Sequence, residues 1–573
     1  MNTIISQLKK YTVFGAVALT AIVYTGCTDL DENPYTFIDP DKFYNTEAEI
    51  NAALNNTYRA YRNQAGSARN YIAPLEILTD VGEANYRKET QNHYRNTWSD
   101  MNNINNTFSD VWEKGFATIN DANIVLGRVE NVEMDATKKN YIKGQALFLR
   151  AYSFYHIVRI YGGCPIPLTY TEGVTGLKMP RESADKVWER IFTDLKDAAG
   201  MLPPRNTSNY EVWRVSKDAC HALLGEAYLY KATISSKDNL TANKDELELS
   251  KQYSKLVIDE AKKGTYDLMQ NYNDLWYWFN KNAKNGKESI FELQYFNGEG
   301  GDCGMAVDFG VYGGMKKDGK VVAGAYYCRF GPTKDVYVSY DPKDTRRNVL
   351  LTEYTDKNNV NWKFDVEAEY WKDKDGNPLL IEGDRAYSFM TLINAKYIDP
   401  WADVNLYNSM PAPNFPQLRY AEVLLNYAEA ANLLKAGDGL AELNLVHQRA
   451  GLTPLPAMGQ KEMDDAILQE RIWEFVGEGK IYFDELRKGV LGDRVEKTAH
   501  RSWKMYDNNE YLQKGIPNSR KKIFVCYPMT HKPTKSWLWK IPSKDISSNT
   551  LLEQNPENQS AALQYDWVAS SEK

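Results

Sequence analysis

Histidines, the side chains most often used for metal binding, are few and scattered in this chain. The six histidines lie at positions 93, 156, 221, 447, 500 and 531, and none forms an HExxH or HxH pattern, the commonest zinc-binding spacings. Glu470, Glu474 and Glu478 recur at four-residue spacing, which on a helix could suggest a di-iron site. Because no ExxH partner accompanies them, we interpret them as a solvated or ion-paired helix face. No metal or other cofactor is predicted; calcium binding stays open, but no loop has the spacing of calcium ligands.

Sequence motifs for a catalytic nucleophile or for phosphate binding are not found either. The sequence contains no GxSxG elbow, and Gly298, Gly300 and Gly304 miss the GxGxxG phosphate-binding pattern by one residue. A pair of carboxylates for glycoside hydrolysis stays an alternative, because only the fold places such a pair. No catalytic motif is recognised among these residues.

The amino terminus has the three parts of a secretory signal. Lys9 and Lys10 precede an apolar run, Val13 to Val23, and the small pair Thr25-Gly26 stands before Cys27. This order predicts a lipoprotein signal peptide over residues 1–26 with lipid attachment at Cys27, although Tyr24 departs from the usual leucine. An ordinary signal peptide with an incidental cysteine is the alternative. The acidic stretch 28–32 resembles the export tag of Bacteroidetes surface lipoproteins, so we expect an outer-membrane anchor that faces the cell exterior.

Charge and cysteine content exclude two classes of protein. The net charge is −7, and no dense Lys/Arg patch is interleaved with aromatic residues, so the electrostatic footprint of a nucleic-acid binder is missing. The cysteines other than Cys27 are odd in number and widely spaced, which gives no disulfide framework and no CxxC metal knuckle. Hydrophobic residues make up 43% of the chain and charged residues 25%, as is typical of globular proteins.

Apolar residues at helical spacing predict a stacked helical scaffold. Ser216 can cap the helix that carries Ala219 and Leu223, and Gly264 can end the helix over 249–262. These two helices and the one that carries Val187 and Ile191 follow one another at intervals near the period of tetratricopeptide (TPR) hairpins, with small residues such as Gly225 where helices must approach closely. The predicted helices are marked by Phe108, Val111, Trp112, Phe116 and Ile119; by Val187, Ile191, Leu195 and Ala198; by Ala219, Leu223, Ala227 and Tyr230; and by the ranges 249–262, 418–435, 440–449 and 463–477.

The middle of the chain, residues 284–416, has a different texture, rich in Gly, Asn, Asp and Tyr. It contains short strand-like runs such as 320–323 and 336–339, and irregular segments on a rigid scaffold are common binding surfaces. Just before it, the aromatic run 276–279 could meet a ligand, but we interpret it as core. We therefore divide the mature chain into 27–270 and 271–573, two regions of one compact unit.

Three sets of motifs resemble the SusD/RagB family of outer-membrane nutrient-binding lipoproteins. Departures are small: Gln145 stands for the usual Glu, and His447 and Lys480 stand for Arg. Within 418–430, small and apolar positions follow the spacing of a buried helix face, so the motif residues are interpreted as structural. The sets are Trp112, Ile119, 122–123, 144–152 (GQALFLRAY), 161–162 and Pro165; then 418–430 (LRYAEVLLNYAEA), 443–444, 449–452 (RAGL), 470–471, Glu474, 478–479 and 483–484; and finally 541–542, 545–546, Asn549 and 554–556 (QNP).

This resemblance implies a mainly α fold, a TPR-like helical-hairpin scaffold with long irregular loop and short-strand insertions. It also implies a cell-surface protein that binds an oligosaccharide or polysaccharide and delivers it to a SusC-like TonB-dependent transporter, without catalysis. The rival interpretations are a peptide-binding lipoprotein of the same transport type and a TPR-like scaffold for another protein.

Candidate ligand residues follow from what sugar binding needs, namely flat aromatic faces together with amides and carboxylates. In the family that the chain resembles, one loop after the first helices and another in the irregular middle usually supply these groups. The candidates are Asp80, Asn85 and Tyr86 in the first loop, Tyr326 and Tyr327 in the second, and additionally Trp98 and Asp302.

Overall fold

The fold is known from a computed structural model, which describes residues 44–84, 98, 106–171, 178–208, 210–296, 304–305, 314–322, 330–367, 370–377, 391–401, 412–498, 529 and 531–556. Its helices are α1 (Glu47–Ala65), α2 (Ala73–Ile77), α3 (Ser109–Arg128), α4 (Ala136–Tyr161), α5 (Ala184–Met201), α6 (Lys217–Ile234), α7 (Lys244–Ala261), α8 (Lys334–Ser339), α9 (Tyr420–Leu434), α10 (Leu440–Arg449), α11 (Gln460–Phe475), α12 (Ile481–Lys488) and α13 (Ser543–Ser548).

The strands are short and are grouped mostly in the second half of the chain. They are β1 (Gly82–Ala84), β2 (Ser289–Leu293), β3 (Met315–Lys317), β4 (Lys320–Val321), β5 (Phe330–Pro332), β6 (Leu350–Leu351), β7 (Glu353–Asp356), β8 (Asn361–Asp365), β9 (Tyr370–Lys372), β10 (Ile393–Asn394) and β11 (Phe415–Arg419). Strands β1 and β5, β6 and β10, and β2 and β11 form antiparallel pairs, and a further sheet has the order β4-β3-β7-β8-β9.

The helices stack in sequence order, as a TPR-like scaffold requires. Helix α1 packs on α3, α3 on α4, α4 on α5, and α6 on α7, which in turn packs on α9. Helix α4 lies at the centre and is buried on nearly every side. Its Arg150 makes two hydrogen bonds of 2.8 and 2.7 Å to Asp194 of α5. The mainly α, TPR-like fold expected from the sequence is confirmed.

Local signals in the sequence explain where these helices begin and how closely they pack. The Ser216 hydroxyl accepts a hydrogen bond from the backbone N–H of Ala219 at 3.2 Å, so Ser216 caps α6 as predicted. Gly225 lies where α6 meets α7, and a Cβ there would come within 2.5 Å of the Ser254 hydroxyl. The Ser250 hydroxyl instead donates to the Gly225 carbonyl at 2.7 Å, which fixes the close approach.

One predicted strand is wrong. Residues 336–339, a Val-Tyr-Val-Ser run, belong to the short helix α8. Thr333 precedes this helix, and its hydroxyl accepts a hydrogen bond from the N–H of Val336 at 3.3 Å. The cap outweighs the β preference of the branched and aromatic side chains, which is a weak and context-dependent tendency.

The core runs through both halves of the chain and contains many aromatic side chains. In the run 276–279, Trp276 and Trp278 are buried, as expected for core, whereas Tyr277 and Phe279 are only partly buried. Cys164 and Cys220 are buried and free. Within the described residues, no helix has both the length and the apolar character needed to cross a membrane.

Candidate ligand-binding surface

The strand pair β1–β5 brings the ends of the two predicted binding loops together. In its register, Gly82 lies opposite Pro332 and Ala84 lies opposite Phe330. Ala84 is the last described residue before 85–97, and Phe330 is the first after 323–329. Cα atoms of directly opposed residues in an antiparallel pair are about 4.5–5.5 Å apart. Two segments far apart in sequence therefore start from adjacent points of the scaffold.

Most of the predicted contact residues lie in those segments or elsewhere outside the described residues. This applies to Asn85 and Tyr86, to Tyr326 and Tyr327, to Asp302, and to the anchor residue Cys27. Asp80 and Trp98 are the two predicted site residues for which the structure gives contacts.

Two hydrogen bonds from Thr333 hold the strand pair together at one end. Its hydroxyl donates to the Asp80 carbonyl oxygen at 2.9 Å, and its N–H donates to the Val81 carbonyl oxygen at 2.9 Å. On the other side of β5, the N–H of Leu392 donates to the Pro332 carbonyl oxygen at 3.1 Å. Gly331 permits this approach, because a Cβ there would lie 2.2 Å from the Thr391 hydroxyl oxygen.

Asp80 takes part in a charged cluster beneath β1. One of its carboxylate oxygens lies 2.9 Å from an Arg494 nitrogen, and Arg494 Nε lies 2.7 Å from Oε1 of Glu485. Burial raises the pKa of the Glu485 carboxyl well above its usual range, and the charge of Asp80 raises it further. The described contacts thus give Asp80 a positioning role at the base of the first loop.

The same cluster bears on the glycosidase alternative. Asp80 and Glu485 are two neighbouring carboxyl groups, but the Glu485 side chain has no exposed surface. A glycosidase needs both carboxyls to reach a substrate placed between them. Because Glu485 lies in the protein interior, this pair does not form such a cleft.

Trp98 corrects a prediction, because it is a core residue and has no exposed ring face. Its side chain is 0% exposed, and its indole N–H donates to the Leu78 carbonyl oxygen at 3.0 Å. The ring packs against Trp537, Trp539 and Tyr482, with centroid separations of 5.0, 5.7 and 6.4 Å. Three aromatic partners distant in sequence cover it.

The carboxylates at 470, 474 and 478 are ion-paired, and they are buried instead of solvated. Both oxygens of Glu474 are occupied: Oε1 accepts from Arg419 at 2.8 Å and from Arg449 at 2.7 Å, and Oε2 accepts from Arg346 at 3.2 Å. Burial alone would raise the pKa of Glu474, but these three guanidinium groups hold it well below its usual range. Among the described residues, no cluster of three metal-ligating side chains occurs.

The two basic positions that depart from the family pattern keep an acidic partner. His447 Nδ1 lies 2.8 Å from Oε2 of Glu470, and Lys480 Nζ donates to Oε2 of Glu422 at 2.6 Å. Arg346 completes the cluster around Glu474, and Arg494 and Glu485 complete the cluster at Asp80. All three residues were missed in the sequence analysis, because no sequence periodicity links them to their partners.

Comparisons with known proteins agree with this architecture. A model described as the SusD family matches residues 266–557, and one described as starch-binding associating with outer membrane matches residues 30–229. The SusD-like protein P2 of Formosa agariphila is 27% identical over 508 residues, covering 85% of this chain and 92% of that protein.

Solved structures share the fold at lower identity. A SusD homolog from Bacteroides thetaiotaomicron superposes with a TM-score of 0.70 at 20% identity, covering 91% of this chain and 98% of that one. Surface glycan-binding protein A from Bacteroides thetaiotaomicron, in complex with laminarihexaose, gives a TM-score of 0.62 at 21% identity, with coverage of 89% and 99%. With a family model matching half of its length, the order of its motifs retained and the same fold, this chain belongs to the SusD family.

Proposed function

We propose that the protein binds a glycan at the surface beside the β1–β5 pair and delivers it to a SusC-like TonB-dependent transporter in the outer membrane. Cys27 is the lipid-attachment site, and the anchored protein faces the cell exterior. The protein performs no chemical step. The observation that carries the proposal is the register of β1 and β5, which makes Ala84 and Phe330 neighbours.

This register matters because sugar rings are recognised by aromatic faces combined with hydrogen-bonding groups. Asn85 and Tyr86 directly follow Ala84, and Tyr326 and Tyr327 come shortly before Phe330. A chain reaches at most about 3.3–3.6 Å per residue, so both pairs of residues are tied closely to one point on the helical scaffold. We propose these four residues, with Asp302, as ligand contacts.

The comparisons support the choice of ligand class. One matching family model is described as starch-binding, and a structural neighbour is a complex with laminarihexaose. The described ionic clusters support a role without chemistry, since Glu474 and Glu485 are both buried away from solvent.

Delivery to a transporter requires only modest affinity. An anchored protein beside a barrel keeps its ligand at high local concentration, so capture and release can both be rapid. Two or three acyl chains, each methylene contributing about 0.8 kcal/mol, would hold the protein at the membrane.

Affinity electrophoresis against plant, host and microbial polysaccharides tests the proposal. We expect at least one polysaccharide to retard the mature protein, and we expect Tyr86→Ala combined with Tyr327→Ala to weaken that binding about tenfold or more, as loss of a central aromatic contact does. Trp213→Ala is the matched control, because Trp213 is an exposed aromatic residue, 40% accessible, outside this surface. A protein that no polysaccharide retards would contradict glycan binding and favour a peptide ligand.

The anchor is tested separately in cells. Cys27→Ala removes the acylated side chain, so the variant should appear in a soluble or mislocalised fraction. Protease shaving of intact cells reports which face of the membrane the wild-type protein occupies. A Cys27→Ala protein that stays on the surface would refute lipid attachment at this residue.

A further inference from the structure

Two small cavities meet at the ion pair between Arg159 of α4 and Glu226 of α6. Their volumes are about 20 and 30 Å³, and Arg159, Glu226 and Lys480 line both of them. The other lining residues are buried. A polar cavity of at least about 10–15 Å³ can hold a water molecule if two to four polar groups bind it. Each cavity therefore has room for about one or two water molecules.

The ion pair itself leaves two polar atoms unsatisfied. Arg159 Nη1 lies 3.6 Å from Oε1 of Glu226, whereas a hydrogen bond between charged groups measures about 2.7–2.9 Å. The Tyr155 hydroxyl donates to the same Oε1 at 2.8 Å. Among the described residues, neither Arg159 Nε nor Oε2 of Glu226 has a hydrogen-bond partner, although both atoms are buried. A buried donor and a buried acceptor therefore remain beside the cavities, an arrangement that is costly unless something bridges them.

The aromatic neighbours of Arg159 cannot satisfy its Nε. The ring centroids of Tyr155 and Phe483 lie 3.9 and 3.8 Å from Arg159 Cζ. Rings at this distance stabilise the guanidinium charge, but they offer no oxygen or nitrogen acceptor to an N–H group.

His156 is also fully used. Burial lowers the pKa of His156 well below its usual range, and the charge of Arg159 lowers it further. Arg159 Nη2 lies 3.2 Å from His156 Nδ1, and because arginine can only donate, Nδ1 is the acceptor and the proton is on Nε2. His156 Nε2 then donates to the Tyr61 hydroxyl at 3.1 Å, which donates to Oε1 of Gln417 at 3.1 Å. Neither ring nitrogen is left for Arg159 Nε or for Glu226.

The charges around the cavities are balanced, which favours water over an ion. Lys480 Nζ donates to the two oxygens of Glu422 at 2.7 and 2.6 Å, and Arg159 faces Glu226. Burial raises the pKa of Glu422 to about 7 while Lys480 lowers it, so most of Glu422 is charged at pH 8. The other charged lining residues are ion-paired within the protein, namely Arg471, Asp484, Arg487 and Glu478. An added ion would be an uncompensated buried charge.

We propose that the two cavities hold ordered water molecules that bridge Arg159 Nε to Oε2 of Glu226. Water can accept from Nε and donate to Oε2, so it satisfies both atoms without adding charge. The bridge joins α4 to α6 at the centre of the scaffold. Because Lys480 and Gln417 also line the larger cavity, the site adjoins the start of α12 and strand β11. It does not depend on glycan binding, so either proposal can fail without the other.

A high-resolution crystal structure of the mature protein at pH 8 tests the water sites directly. We expect water oxygens about 2.7–3.2 Å from Arg159 Nε and from Oε2 of Glu226. Electron density without solvent at these two atoms would overturn the proposal. A second crystal soaked in sodium bromide distinguishes water from an anion, because bromide is located by its anomalous scattering. Bromide beside Arg159 would show that the proposed ligand class is wrong.

A matched pair of substitutions tests the role of Glu226 as the acceptor. Glu226→Gln keeps a polar group at this position, so water should remain at Arg159 Nε. Glu226→Met has a similar length but no polar group to bind the water, so the density at Nε should be lost. Glu189→Met, at an exposed position on α5, is the control and should keep the water. Water that persists at Nε in Glu226→Met would refute the bridge, and the wild-type crystals provide the test should this variant not fold.

Discussion

Two buried glutamates in this protein have opposite electrostatic surroundings. Glu474 lies among Arg346, Arg419 and Arg449, and these charges hold its pKa well below the usual range. Glu485 has Arg494 within ion-pair distance but also lies beside the acidic Asp80, and its pKa is raised well above the usual range. The pKa of one carboxyl is lowered and the pKa of the other is raised.

The two glutamates lie in different parts of the molecule. Glu474 on α11 is ion-paired with Arg346, Arg419 and Arg449 of other segments, and there the charges are matched. Glu485 lies beside Asp80, which precedes β1 by two residues. A buried carboxyl that is poorly compensated costs stability, and such costs are tolerated where a structure positions a functional surface. Glutamate-to-glutamine substitutions at the two positions should therefore have effects of opposite sign.

Glu474→Gln should produce the largest effect, a loss of about 3–5 kcal/mol in the free energy of unfolding, because it removes the charge that three buried guanidinium groups share. Chemical denaturation at pH 7 measures this loss. Glu462→Gln, an exposed position on the same helix, is the control and should change stability by less than about 0.5 kcal/mol. Equal stability of the two variants would mean that the ion pairs around Glu474 contribute nothing net.

The pH dependence of this loss has a defined direction. A carboxyl whose pKa is lower in the folded protein stabilises fully above its ordinary value of 4.5 and loses that contribution as the pH falls below it. The gap between wild type and Glu474→Gln should accordingly be constant from pH 6 to pH 8 and shrink below about pH 4.5.

Glu485→Gln should instead stabilise the protein, by about 1–3 kcal/mol at pH 7. Because the pKa of Glu485 is higher in the folded protein than its ordinary value of 4.5, the wild type loses stability as the pH rises above that value. Glutamine has the shape of the protonated acid without this cost. The gain should vanish near pH 4 and grow by up to about 1.4 kcal/mol per pH unit above 4.5. A variant less stable than wild type at pH 8 would show that Glu485 is charged in the folded state.

Elements set by local sequence were predictable, whereas clusters assembled by the fold were not. Helices α5 and α6 were predicted from the apolar stripe Val187 to Ala198 and from the cap at Ser216, because side-chain spacing and capping act within one or two helical turns. Trp98 was misjudged, since three rings distant in sequence bury it, and 336–339 was misjudged because the cap at Thr333 outweighed a weak β preference.

The candidate site divides in the same way. Sequence reasoning proposed the loop residues Tyr86 and Tyr327, which stay a prediction, and only the register of β1 with β5 makes their attachment points neighbours. Asp80 was chosen for its polarity, and the structure adds the Arg494 and Glu485 beneath it. The aromatic run 276–279 was predicted as core, which is correct for Trp276 and Trp278, whereas Tyr277 between them is partly exposed.

The smallest effect should come from Ser216→Ala, which removes an uncharged contact of the frame. The Ser216 hydroxyl satisfies the Ala219 N–H in the first turn of α6, and losing such a cap costs about 1 kcal/mol. Because no proton is gained or lost by the serine, the loss should be the same at pH 4 and pH 8, unlike the changes at Glu474 and Glu485. Denaturant unfolding at both pH values measures this. A loss that varied between them as steeply as the glutamate variants would mean that the contrast between the two carboxyls reflects general acid sensitivity of the fold and not their own titration.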